Sequence, residues 1–321
     1  MKVVEIRESF GGDSLQLVER PEPVPGPRQV VLKMKAFSIN YRELLVVNGV
    51  GRWRPPLGRV PVSDGVGIVV AAGTGVSRVK IGDRVSPIFY PKWLEGRVTA
   101  EKMEHALGGA AADGVLAEYT LFDDTSLVRV PAHLTDEEAA TLPCAGVTAW
   151  NALLSFGDIM PGDSVVVLGT GGVSVFALQF AQFRGARVII TSSSAQKLAR
   201  AKELGADDGV DYKVRPDWPT AIAELTDGAG ADYIVDTVGE LKKAIAAVRL
   251  GGTVAFVGLL NGMTTEVDLV TFMGKSSRVE AVDVGSREMF EAMNTRLHFT
   301  PCVPWWIACL VSLSCEKRST I

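Results

Sequence analysis

Apolar residues recur along the second half of this chain with two alternating periods. Val165-Val166-Val167-Leu168 is an unbroken β-branched run, short enough for a strand buried on both faces. After it Val173, Phe176, Ala177, Phe180 and Ala181 repeat at helical spacing, with Gln179 and Gln182 on another face. Gly185 closes that helix, and Arg187-Val188-Ile189-Ile190 reads as the next strand. The pattern repeats: a helix from Lys197 to Leu204 stopped by Gly205, a strand at Tyr233–Asp236 and a helix at Leu241–Val248. A strand at Thr253–Gly258 and a sixth candidate at Arg278–Val282 complete the series. Such alternation predicts an open, mostly parallel sheet with helices on both faces.

The first half follows a different rule. Val30–Ala36 is a strand entered through the turn Pro25-Gly26-Pro27. Ser63–Gly73 and Gly82-Asp83-Arg84-Val85 are short strands interrupted by glycine, the pattern of a small, strongly bent barrel. Tyr90 to Gly114 is a long excursion of weak periodicity, either a lid or pocket wall or a surface decoration. Thr135-Asp136-Glu137-Glu138 predicts a capping box and an acidic first turn for a helix through Ala140.

Composition narrows the functional classes. With 321 residues the chain accommodates two domains with well-buried cores. A net charge of -4 carries no basic field for nucleic acid. No apolar run reaches the roughly 20 residues of a spanning helix. The N-terminus starts as an alternating strand without the layout of a signal peptide, so the expected location is cytoplasmic. Four cysteines, three of them at Cys302, Cys309 and Cys315, suit neither a disulfide framework nor a zinc site.

The informative stretch is Gly169-Thr170-Gly171-Gly172-Val173-Ser174, between the first parallel strand and its helix. A pyrophosphate reaches a helix N-terminus only if the backbone before it turns tightly and comes close. Gly169 supplies the turn, Gly171 the close approach, and Ser174 stands where the fingerprint has a third glycine. An NAD-preferring site ends its second strand in an acid that binds the ribose 2′-hydroxyl. Here that place is Thr191-Ser192-Ser193-Ser194, with no carboxylate before Glu203. Ser192, Ser193 and Lys197 provide donors and a cation for a 2′-phosphate, which favours NADP(H) over NAD(H). The alternative for Lys197 is a solvated helix lysine.

Three segments in order carry a family resemblance: Asn40-Tyr41-Arg42-Glu43-Leu44, the ladder Gly65, Gly67, Gly73, Gly75, Val76 and Gly82–Val85, and Leu142–Trp150 ahead of the glycine turn. From about Val3 to Asn294 the chain resembles the medium-chain dehydrogenase/reductase superfamily, nearest its zinc-independent quinone oxidoreductase and alcohol dehydrogenase-like branch. The resemblance implies a Rossmann-type doubly wound parallel sheet plus an N-terminal GroES-like β-barrel domain. On this reading residues 1–125 form the GroES-like domain, 126–290 the cofactor domain and 291–321 an atypical tail. The zinc enzymes place a cysteine where this chain has Asn40 and a His-Glu pair where it has Ser63-Asp64, leaving Cys144 alone of the usual three ligands. One thiol and no imidazole do not make a tetrahedral zinc site, so no zinc is expected. The resemblance further implies Tyr212 near the adenine ribose and Thr148 near the nicotinamide, and it places Cys144 and Thr237 in the cofactor group. It also implies a homodimer through the sheet edge at Arg278–Val282.

Without zinc, the easier hydride acceptors are an activated double bond, a quinone or a related carbonyl, whose developing charge needs hydrogen-bond donors. Asn40 is the first candidate to position cofactor or substrate, with Tyr41 and Arg42 as a proton or oxyanion donor. Each has another reading: Tyr41 as core, Arg42 as the partner of Glu43. Asp64 serves as a general acid only if its pKa is raised, and otherwise caps backbone amides. After Asn294 the composition changes abruptly to TRLHFTPCVPWWIACLVSLSCEKRSTI, which suggests a truncated or frame-shifted C-terminus. The competing functional reading is therefore a non-catalytic or inactive nucleotide-binding relative.

Overall fold

The computed structural model describes residues 1–155, 157–299 and 309–311 of the chain. These fall into two compact units, Met1–Val147 with residues 285–299, and Thr148–Val284. The first unit thus runs on past residue 125.

In the first unit β1 (Lys2–Ile6) and β2 (Leu15–Glu19) form an antiparallel hairpin. A curled antiparallel sheet follows, built from β3 (Gln29–Ser38), β4 (Asp64–Ala72), β5 (Arg84–Pro87), β6 (Tyr119–Asp123) and β7 (Leu127–Arg129). β3 pairs with both β4 and β6, and its register with β4 shifts twice, between Val31 and Leu32 and between Met34 and Ala36. Bulges of this kind bend a strand and increase its twist. The glycines of β4 permit the close crossing: a Cβ at Gly65 would lie 2.7 Å from Met34 Cε and one at Gly67 3.0 Å from the Lys33 carbonyl. The enclosed core contains Val30, Leu32, Phe37, Val69, Val85, Val115 and Leu127. Helix α1 (Tyr41–Val47) leaves β3 directly, and α2 (Ala100–Met103) is a single turn within the long excursion. That excursion buries Tyr90, Trp93 and Leu107, so it is part of the unit's packing rather than a surface decoration. Helix α3 (Asp136–Ala140) has the expected capping box, with Thr135 Oγ1 accepting from the Glu138 amide and Glu138 from the Thr135 amide.

Short α4 (Val147–Trp150) lies between two π-helical turns, Leu142–Gly146 and Asn151–Ser155. The second unit then alternates β8 (Ser164–Val167), α5 (Gly172–Phe183), β9 (Arg187–Ser192), α6 (Ala195–Glu203), β10 (Asp208–Asp211) and α7 (Trp218–Leu225). It continues with β11 (Ala231–Asp236), α8 (Leu241–Ala247), β12 (Val248–Phe256), α9 (Leu269–Lys275) and β13 (Arg278–Ala281). All six strands are parallel in the order β10-β9-β8-β11-β12-β13, a doubly wound sheet whose order reverses beside β8. Val166, Ile189, Ile222, Ile234 and Val254 fill one core between sheet and helices, and Trp218 is buried with them. β10 escapes a hydrophobic-pattern search because it reads Asp-Gly-Val-Asp, and the sheet edge tolerates that polarity.

The chain returns to the first unit with α10 (Arg287–Phe299), and β14 (Cys309–Val311) pairs antiparallel with β3 opposite Ser38 to Ala36. The expectation of an altered C-terminus otherwise falls on residues outside those described.

Candidate active site

The second unit turns sharply at the carboxyl end of β8. Gly169 adopts φ +74°, a left-handed conformation that favours glycine, and its amide donates to Thr191 Oγ1 at 3.1 Å. Gly171 caps α5, and a Cβ placed there would meet no atom within 4 Å. That space, at the N-terminus of a twelve-residue helix, suits a diphosphate. Gly172 and Val173 open the helix. Ser174 is fully buried in the third glycine position; its hydroxyl donates to the Leu168 carbonyl at 2.9 Å and meets Thr237 Oγ1 at 2.9 Å. Thr237 Oγ1 also donates to the Leu168 carbonyl, so Ser174 and Thr237 lock the turn.

β9 ends beside this turn. Thr170 Oγ1 lies 3.5 Å from Ser192 Oγ, and the Tyr212 amide donates to the Ser192 carbonyl at 3.0 Å. Ser193 is half-buried, and Ser194 caps α6 by accepting from the Lys197 amide. The Lys197 ammonium is exposed and has no carboxylate partner among the described residues. The end of β9 thus carries hydroxyls, with the exposed Lys197 and Tyr212 on the segments tied to it by the Ser194 cap and the Tyr212 amide. Thr148 is buried and its hydroxyl donates to the Asp283 carbonyl at 3.4 Å. A group absent from the sequence reading is Asp236, buried at the end of β11. It accepts from the Val238 and Gly239 amides at 3.0 and 2.7 Å, and burial raises its pKa.

In the first unit, the polar candidates gather at the start of α1 and of β4. Asn40 caps α1, and its amide N–H donates to Glu43 Oε2 at 2.9 Å. Its side-chain Nδ2 is buried without a hydrogen-bond partner among the described residues. Tyr41 is 44% exposed, which removes the reading of it as core. Arg42 is committed elsewhere: it donates to the Leu107 carbonyl at 2.5 Å, pairs with Glu43 at 3.3 Å and covers the Phe89 ring. These contacts anchor the guanidinium at the start of α1, as the pairing with Glu43 was expected to do.

Asp64 is completely buried. Its Oδ2 accepts from the Cys144 amide at 2.9 Å, and its Oδ1 lies 2.7 Å from Ser63 Oγ. Burial foremost, and then the charge of Glu43, raise its pKa to about 7, against the opposing pull of Ser63, Asn40 and the Cys144 amide. Asp64 thus caps a backbone amide, and its raised pKa meets the condition set for a general acid. Glu43 and Ser63 complete this cluster, with Ser63 Oγ 3.2 Å from Glu43 Oε1. The signal for Glu43 was legible as the Asn-x-x-Glu spacing of a capping box, whereas Ser63 had no sequence signal beyond adjacency to Asp64.

The donors here do not fit a zinc ion. There is no imidazole among them, the Glu43 and Asp64 carboxyls are taken up by Ser63 and by the Asn40 and Cys144 amides, and one half-buried thiol remains, which is no tetrahedral set. No group of three His, Cys, Asp or Glu side chains is placed to hold a metal among the described residues.

Two family comparisons match the chain: an alcohol dehydrogenase GroES-like domain over residues 26–132, and a zinc-binding dehydrogenase over residues 172–298. A zinc-type alcohol dehydrogenase-like protein of Schizosaccharomyces pombe is 38% identical over 295 residues, 89% of this chain and 85% of that one. A crystal structure of an NAD-dependent alcohol dehydrogenase superposes with a TM-score of 0.86 at 32% identity, covering 95% of this chain and 91% of its own. A mycobacterial protein solved in complex with NADPH gives a TM-score of 0.76 at 26% identity, covering 94% and 90%.

Proposed function

The chain belongs to the medium-chain dehydrogenase/reductase superfamily and is an NAD(P)-dependent oxidoreductase of that type; we propose that it uses NADP(H), without zinc, to transfer hydride to an activated double bond, quinone or carbonyl of a small molecule. The observation that carries the cofactor choice is the end of β9, where hydroxyls and the unpaired Lys197 stand in the place of an acidic residue. A similar structure holds NADPH, and another similar structure is NAD-dependent, so the residues after β9 decide between them.

On this reading the Gly169–Val173 turn and the N-terminus of α5 receive the pyrophosphate, Ser192, Ser193 and Lys197 the 2′-phosphate, and Tyr212 the adenine ribose. Thr148, Thr237 and Cys144 belong to the nicotinamide end. When bound, the nicotinamide supplies or accepts a hydride. Asn40 Nδ2, the buried donor left without a partner, hydrogen-bonds the carboxamide or the substrate oxygen. Tyr41, exposed beside it, provides the proton-donating hydroxyl. Arg42 holds Glu43 and the α1 start in place. No helix of the described residues is long and apolar enough to cross a membrane.

The test is NADPH and NADH oxidation with a panel of quinones, enones and simple ketones, alongside cofactor binding by fluorescence. Turnover of enones or quinones with NADPH, undiminished by a chelator, is expected. Binding without turnover across the panel would favour a non-catalytic relative.

A further inference from the structure

Two buried carboxyl groups lean on one hydroxyl. Ser63 Oγ is 2.7 Å from Asp64 Oδ1 and 3.2 Å from Glu43 Oε1, and all three residues are buried. A serine hydroxyl has one hydrogen to donate. If both carboxyls are ionised, one of these contacts is two bare oxygens facing each other in a sealed interior, which such an interior does not tolerate. The charge count leads to the same place. Arg42 touches Glu43, no cation among the described residues touches Asp64, and the other groups facing Asp64 are the Cys144 amide and the Asn40 side chain.

We propose that Asp64, Ser63 and Glu43 form a proton-holding chain in which Asp64 donates to Ser63 and Ser63 donates to Glu43, so that a proton, and no metal, neutralises this buried acidic cluster. The chain satisfies every contact in turn: Asp64 Oδ1–H to Ser63 Oγ, the Ser63 hydrogen to Glu43 Oε1, and the Cys144 amide to Asp64 Oδ2. The short first link has the length of an O–H···O bond. Burial among these groups holds the Asp64 proton up to about pH 7.

The stored proton also governs Asn40. The Asn40 side chain favours the ionised form of Asp64, and its Nδ2 makes no full hydrogen bond among the described residues. Once the proton leaves, the strongest acceptor within reach is the Asp64 carboxylate, which draws Nδ2 to itself. A donor free below the titration is then withdrawn above it, and Asp64 acts as a positioning residue through Asn40. This second step rests on the role proposed for Asn40; the proton-holding chain does not.

Infrared difference titration of the full chain from about pH 5 to about pH 9 tests the chain itself, following the C=O band of a neutral carboxylic acid. Asp236 is a second buried acid held up, so Asp64→Asn assigns the band. The expected result is a neutral-acid band in the wild type that fades through neutrality and is missing from Asp64→Asn. In Ser63→Ala the midpoint moves, because the hydroxyl that accepts from neutral Asp64 and can donate to ionised Asp64 is gone. The absence of any such band in the wild type, a band unchanged in Asp64→Asn, or an unmoved midpoint in Ser63→Ala overturns the chain. The Asn40 step is read separately in kcat/KM against pH. The wild type is expected to lose activity above neutrality and Asp64→Asn to show no alkaline limb; matching limbs in both would reject this coupling and leave the infrared result standing.

Discussion

Replacing Asp64 by asparagine alters how stability depends on pH, and the structure sets both sign and size. Asp64 ionises near the ordinary 3.8 when unfolded and at about 7 when folded, because burial and Glu43 disfavour its charge. Between these values the folded state binds a proton that the unfolded state has lost. Wild-type stability therefore falls as pH rises from about 4 to about 7, then levels off. Three units at 1.36 kcal/mol each give a ceiling of about 4 kcal/mol. Asparagine keeps an acceptor for the Cys144 amide and offers a donor towards Ser63, with no group to ionise. Relative to wild type, Asp64→Asn should thus gain up to about 4 kcal/mol between acid and mildly alkaline solution. Urea unfolding of both proteins across that range, scored as the difference between them, measures it. Parallel stability curves would refute the buried-acid argument, because then Asp64 would titrate alike in the folded and unfolded chain.

The other predictions concern cofactor and assembly. Lys197→Ala should weaken NADPH by roughly tenfold, the scale of one charge-assisted contact, and leave NADH nearly unchanged; equal losses in fluorescence titration would reject the 2′-phosphate assignment. Gly171→Val should fold with an unaltered melting temperature and lose cofactor binding, since its side chain enters space that is open in the free protein. Gly258→Ala is the contrast: its Cβ would lie 1.7 Å from the Thr237 carbonyl, so the melting temperature falls first. β13 is an edge strand, and Leu269, Val270 and Met273 on neighbouring α9 are exposed, which favours a homodimer. Sedimentation should show a dimer that Val270→Glu with Met273→Glu converts to monomer, and a monomeric wild type would end that proposal.

The sheet of the second unit was legible because its strands are sealed on both faces. Val165–Val167 and Tyr233–Asp236 have no polar alternation to confuse their reading, and the glycine turn follows at a fixed place. Boundaries were less so: β12 starts at Val248, which helical spacing assigned to α8, because pairing with Ala231 draws this β-branched residue into the sheet. β10 was invisible for want of apolar residues, and Ser174 was legible only as a small residue in the third glycine position. Its hydroxyl bonds the Leu168 carbonyl and lies against the Thr237 hydroxyl, contacts that no local pattern encodes.

What the amino-acid order determined by itself is the alternation of elements, the phosphate turn, the missing carboxylate after β9 and the missing imidazole beside Asp64. These are properties of neighbours in the chain, governed by backbone geometry and by which functional groups exist to bind anything. Only the tertiary structure decided which of the candidate side chains remain available. It committed Arg42 to Leu107 and Phe89, exposed Tyr41, and left Asn40 Nδ2 without a partner. It also set Glu43 and Asp64 on a single serine. Protonation follows burial and the distance between charges, and residues twenty or eighty positions apart acquire both only when the chain has folded.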